Sequence, residues 1–173
     1  VRAGDTVTSL TRKIKVATLL GTIQSTFTNF GYLRKVWQDN TEEERLLGVS
    51  LTGIMDSELL NGKETGLAKT LEKLKKVAVD CNKEYAEKFN INQATAITCV
   101  KPSGTVSQLV DSASGIHARH NPYYIRTVRG DKKDPLTEFL KASGIPSEDD
   151  VMKPEHTTVF SFPMMAPKGS VCR

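Results

Sequence analysis

Residues 97–108, ITCVKPSGTVSQ, bring together the groups that an anion needs. A short apolar run enters a Pro-Ser-Gly-Thr turn, and the pattern beyond it opens a helix. Such a junction offers the Ser103 and Thr105 hydroxyls, the Gly104 and Thr105 N–H groups and the positive end of a helix dipole, while Pro102 fixes the entry angle. The ligand this chemistry suits is a phosphorylated small molecule. The spacing is not that of a Walker loop, because Lys101 precedes the turn and G-x-x-x-x-G-K-[ST] is missing, nor is it G-x-G-x-x-G. An ordinary strand-to-helix turn with Thr105 as N-cap accounts for the same residues.

Other chemistry-bearing residues are dispersed. His117 and His120 stand three apart in GIHARHN, with no Cys, Asp or Glu nearby to complete a ligand set, which argues for loop histidines and against a metal site. Arg119, Arg126 and Arg129 follow the turn. Any of them has the reach to touch a triphosphate, and a surface ion pair is the plainer fate of each. Alternation along YYIRTVR puts Tyr124 and Arg126 on one face and Arg129 on the other. Glu42-Glu43-Glu44 reads as a solvated run ahead of a strand. Cys81, Cys99 and Cys172 are odd in number and lack C-x-x-C spacing, so neither a disulfide framework nor a zinc site is indicated.

The elements that must position these residues alternate. Val7, Leu10, Ile14, Ala17, Leu20 and Ile23 fall at helical spacing behind an Asp5 cap, and Tyr32, Leu33, Val36 and Trp37 form a short turn in the core or at an interface. RLLGVSLTGIMD reads as a parallel strand covered on both faces, with Gly48 and Gly53 marking close approaches. Residues 64–89 are a long helix whose stripe includes Leu67, Leu71, Leu74, Val77, Ala78, Cys81, Tyr85 and Phe89. After the turn come the strand YYIRTV, a helix over DPLTEFLKASGI closed by Gly144, and a strand HTTVFSFP stopped by Pro163. This order predicts an α/β fold of mostly parallel strands in one unit, 1–173.

Composition agrees with a globular chain: 38% hydrophobic, 25% charged, net charge +4 over 173 residues. Basic residues interleave with acids, which argues against direct nucleic-acid binding. There is no membrane-length apolar run and no signal-peptide layout, so a cytoplasmic location is expected. The chain opens at Val1 and closes at Arg173 after a loop-like segment, and we expect it to be a piece of a larger protein.

GTIQSTFTNFGYLRKVWQDN, EEERLLGVSLTGIMD, TCVKPSGTVSQLVDSASGIHARHNPYYIRTVR and SFPMMAPKG, in that order, resemble the adenosylcobalamin-dependent (class II) ribonucleotide reductases, in their ribonucleoside-triphosphate branch. The resemblance implies the C-terminal half of a ten-stranded α/β barrel. It implies that Pro102, Ser103, Gly104 and Thr105 hold the phosphates of a ribonucleoside triphosphate reduced at its 2′ position by thiyl-radical chemistry, with adenosylcobalamin as cofactor and a thioredoxin-type reductant. The family's radical cysteine lies in an Asn-Pro-Cys-Gly-Glu stretch that this sequence lacks. The resemblance places that stretch in a missing N-terminal part, so this piece alone is expected to be inactive. A non-catalytic phosphate-binding α/β module and the same barrel from a diiron-dependent reductase are the alternatives.

Overall fold

A computed structural model describes residues 1–173 as two compact units: Val1–Arg119 with Lys168–Val171, and His120–Pro167 with Cys172–Arg173. The first unit is built on two helices. α1 (Val7–Gln24) starts at Thr6, whose hydroxyl accepts from the Ser9 N–H at 3.2 Å while Ser9 Oγ accepts from the Thr6 N–H at 2.9 Å. That reciprocal box satisfies two of the orphan donors of a helix start, so Asp5 is not the cap. The Asp5 carboxylate instead takes Ser9 Oγ and Lys13 Nζ, each at 2.7 Å.

α1 packs on α3 (Leu67–Phe89) through Leu10, Ile14, Leu74 and Ala78, which join Leu47, Leu60 and Ile97 in one core cluster. Each large aliphatic side chain buried there contributes about 1.5–3 kcal/mol. The buried stripe of α1 continues through Thr18 and Thr22, not through the expected Ala17, Leu20 and Ile23, and Leu20 is 61% exposed. The reason lies on α3, where the buried Asn82 donates to Thr22 Oγ1 at 3.0 Å and accepts from the Ala94 N–H at 2.9 Å. A polar partner on α3 accounts for Thr22, while the buried Thr18 hydroxyl has no partner.

α2 (Lys35–Glu44) is a longer helix than the single turn expected, and none of its residues is buried. Tyr32, Leu33, Val36 and Trp37 are exposed, so they are not core. Glu42–Glu44 form its last turn, with the Glu42 carboxylate accepting from Thr28 Oγ1 and Gln38 Nε2. The Gln38 and Thr28 bonds hold the Glu42 carboxyl below its usual range.

The strand expected over RLLGVSLTGIMD, 45–56, and the apolar run leading into the turn do meet in parallel, but briefly. Leu47 N–H donates to Ala96 O, Val49 N–H to Ile97 O and Cys99 N–H to Val49 O, around the bridge Val49↔Thr98. Gly48 and Gly53 interrupt the run, and at Gly53 a φ of 80° turns the chain into a 3-10 turn, Ile54–Asp56.

In the second unit β1 (Tyr123–Asp131), β2 (Ser147–Asp149) and β3 (Thr157–Met165) form a sheet in the order β1-β3-β2, antiparallel throughout. The mostly parallel sheet expected from helix–strand alternation is therefore corrected here. α5 (Pro135–Ala142) is capped by Asp134, whose side chain accepts from the Leu136 N–H, and closes before Gly144 at φ 77°. Pro163 lies within β3, opposite Ile125, and does not end it. β2 reaches only to Phe160, so beyond that point β3 has a free side where proline is tolerated.

Candidate functional site

The Pro-Ser-Gly-Thr turn sits in the first unit, beyond the Val49↔Thr98 pairing. Lys101 N–H donates to Ser50 Oγ at 3.3 Å, and the Lys101 ammonium lies on the Gly48 carbonyl at 2.9 Å. A Cβ at Gly48 would come within 2.9 Å of that nitrogen, so what approaches this glycine is the end of a lysine side chain and not the backbone or ligand expected there. The chain then enters α4 (Thr105–Leu109) with Gly104 as N-cap, making Thr105 the first helical residue. No side chain caps this start, so its first N–H groups remain available to other acceptors.

Ser103 Oγ is enclosed and has no hydrogen-bond partner. Ser107 Oγ donates to the Gly104 carbonyl at 2.8 Å, and Ser114 Oγ donates to the Ser103 carbonyl. Two carbonyls of the turn are thereby tied back, while the Ser103 hydroxyl is left over. The turn borders a cleft of about 520 Å³ whose walls include Leu20, Gly21, Gly48, Lys101, Ser103 and Thr105. That volume is in the range of small-molecule sites. A second cleft in this unit, about 320 Å³ and lined by Ile14, Leu51, Leu71, Leu74, Cys99 and Val100 among others, is apolar and unsuited to an anion.

Pro102, Gly104 and Thr105 are exposed and Ser103 is half-buried. His117 and His120 are exposed, and in the second unit His120 meets Tyr124 edge-on at 6.3 Å between ring centroids. Tyr124 and Arg126 share the half-buried face of β1, and Arg129 pairs with Asp150 at 2.8 Å. Cys81 is buried, Cys99 exposed and Cys172 half-buried, and burial pushes the Cys81 thiol up.

Arg119 departs most from expectation. Instead of a surface pair it forms a buried one with Asp56, the two side chains 3% and 1% exposed, with Nε to Oδ1 at 2.9 Å and Nη2 to Oδ2 at 2.8 Å. Burial pushes the Asp56 carboxyl up, but the bonds from Arg119, the Ala113 N–H and Ser170 Oγ outweigh it and hold the group below 3.8. Sequence reasoning missed Asp56, because an Asp closing an apolar run looks like a turn residue and its partner lies 63 positions away. It also passed over Lys101, whose place directly before the turn was the available signal.

The fold as a whole matches a crystal structure of a B12-dependent (class II) ribonucleotide reductase, with a TM-score of 0.78 and 26% identity, over 92% of this chain and 25% of that one. No family model matches the sequence. Individual relatives do: the chain is 32% identical over 148 residues to the adenosylcobalamin-dependent ribonucleoside-triphosphate reductase of Lactobacillus gasseri, covering 72% of this chain and 20% of that protein. It is 31% identical over 157 residues to the protein of the same name from Lactobacillus acidophilus, covering 77% and 20%. The chain is thus a homologue of the class II ribonucleotide reductases and spans about a fifth of the length of these relatives.

Proposed function

We propose that this chain is the C-terminal half of the ten-stranded catalytic barrel of a cytoplasmic, adenosylcobalamin-dependent ribonucleoside-triphosphate reductase, and that Pro102, Ser103, Gly104 and Thr105 receive the substrate phosphates. The observation that carries the reading is the enclosed, unpartnered Ser103 hydroxyl beside an uncapped helix start on a 520 Å³ cleft. A phosphate oxygen accepts from the first N–H groups, and the enclosed Ser103 hydroxyl, which has no partner where it lies, reaches that oxygen by turning out into the cleft. Lys101 adds a cation at the rim.

The roles of these residues are to bind and orient. The hydroxyls and N–H groups fix the phosphate tail, and the ammonium, already held on Gly48, offsets its charge. Adenosylcobalamin would supply radical initiation to the complete enzyme, and no residue of this chain is assigned to holding it. No catalytic role falls to Cys81, Cys99 or Cys172, and in this reading the radical cysteine and the thioredoxin-reduced pair lie elsewhere in the enzyme.

The test is the Ser103→Ala/Thr105→Val double variant of the complete gene product, assayed for cobalamin-dependent reduction of a ribonucleoside triphosphate. A hydrogen bond to a charged group contributes about 1.5–3 kcal/mol, so KM should rise roughly 10- to 100-fold with folding preserved. An unchanged KM would overturn the assignment.

A further inference from the structure

The turn at Ser103 is supported from behind by residues 111–115. Ser114 Oγ donates to the Ser103 carbonyl, the Ser112 N–H donates to the Ser107 carbonyl at 2.9 Å and the Asp111 N–H to the Gln108 carbonyl at 3.1 Å, so three bonds join this segment to the turn and to α4. On its other side the segment is pinned to Thr52 and Asp56. The Gly115 N–H donates to Thr52 Oγ1 at 2.8 Å, and the Ala113 N–H donates to Asp56 Oδ2 at 2.7 Å.

Asp56 is in turn clasped by Arg119 and by Ser170 Oγ at 3.0 Å, while Arg119 Nη2 returns to the Asp111 carbonyl at 3.3 Å. The Arg119 N–H donates to Val171 O and the Val171 N–H to Met55 O, which locks the two sides of the clasp together. None of these bonds goes to α1 or α3, and neither Asp56 nor Arg119 belongs to the aliphatic core cluster. What the pair fixes is the placement of loops. A buried network with its members satisfied holds one arrangement, because any other leaves a charge unpaired.

We propose that Asp56 and Arg119 are positioning residues for phosphate binding: they set the Ser103–Gly104 turn through the 111–115 segment, with Ser114 as the link. The inference rests on the reading that the turn receives the phosphates. It adds that affinity depends on a buried ion pair that the ligand never touches.

The experiment titrates the complete gene product, ¹⁵N-labelled segmentally over the residues of this chain, with inorganic tripolyphosphate and follows those backbone amides. The parent chain should bind with shifts centred on Gly104 and Thr105. Ser114→Ala, which leaves the ion pair intact, should weaken binding about three- to tenfold, the value of one hydrogen bond, and should move the Ser103 and Gly104 signals before any ligand is added while leaving those of α3 in place. Asp56→Asn should weaken it further, and Asp56→Asn/Ser114→Ala should be no weaker than Asp56→Asn alone, since the two act in series. If Asp56→Asn does not fold, Arg119→Lys, which keeps the charge and loses the fork, replaces it in both arms. Unchanged tripolyphosphate affinity in Ser114→Ala, or losses that simply add, would overturn the positioning role alone. Failure of the parent chain to bind, or shifts centred elsewhere, would overturn the phosphate reading and this inference with it.

Discussion

Replacing Arg119 by Met should cost the first unit about 3–5 kcal/mol at neutral pH, the penalty for leaving one member of a buried ion pair uncompensated. The Asp56 carboxylate is 1% exposed and would lose its bonds from Nε and Nη2 while keeping those from the Ala113 N–H and Ser170 Oγ. In the parent protein the folded Asp56 titrates below 3.8, so its contribution is fully present above that pH and is lost as the solution is acidified through the folded value. Without the guanidinium, burial dominates and the carboxyl is pushed up, so the variant loses stability as pH rises through the new value. The deficit relative to the parent should therefore grow from pH 4 to pH 7. Urea unfolding followed by circular dichroism at 222 nm reads it through α1 and α3, and with a slope of about 2 kcal/mol per molar the midpoint should fall by roughly 2 M. Arg129→Met is the control, since that side chain is 66% exposed in its pair with Asp150 and should cost under about 1 kcal/mol. A loss below about 1 kcal/mol for Arg119→Met would refute the reasoning. An equal deficit at both pH values would show that lost packing, not charge, is responsible.

Asp5 should contribute to acid stability in its own window. Burial pushes its carboxyl up, but bonds from Lys13, Ser9 and the Arg2 N–H hold it at about 2 against an ordinary 3.8. Its contribution is thus present above 3.8 and lost between there and about 2. With Lys13 half-exposed, Asp5→Asn should cost about 1 kcal/mol at pH 7 and nothing below pH 2, measured by urea midpoints across that range. Gly53→Ala should destabilise by more than about 2 kcal/mol, because φ is 80° and the new Cβ would meet the Val1 carbonyl and, at 2.9 Å, Ser112 Cβ. Gly62→Ala, at φ 84° with open space around it, should cost only about 1 kcal/mol in the same thermal melt, and equal costs would show that crowding at Gly53 is unimportant.

The local elements were legible where one physical signal dominated. The 64–89 pattern gave the end of α3 at Phe89 and placed its start three residues early, with Leu74, Ala78 and Cys81 of the expected stripe buried and Leu71 and Phe89 exposed, and Asp134 with Pro135 announced the start of α5. The turn itself was legible as a junction that opens a helix, since Pro, Ser, Gly and Thr after an apolar run mark one, but the same residues suit an ordinary strand-to-helix turn and the phosphate role remains a proposal. What stayed hidden depended on distant partners. The place of Thr22 on the buried stripe of α1 is matched by Asn82, 60 positions away. Strand direction in the second unit is set by pairing across α5, which helix–strand alternation cannot report. Arg119 looked like a surface cation because nothing nearby in sequence signals that Asp56 awaits it.

The clasp at Asp56 also imposes an order on synthesis. Ser170 follows Asp56 by 114 positions, and the whole of 120–167 belongs to the other unit. At about 5–20 residues per second, a ribosome leaves the Asp56 carboxylate without this last partner for roughly 6–23 s. The strands of the inserted unit emerge within that interval, so the nascent sheet can form while its host is still open. Closure of the host is then the final event of translation for this stretch, and a stall anywhere before Ser170 leaves the Pro-Ser-Gly-Thr turn on an unfinished foundation.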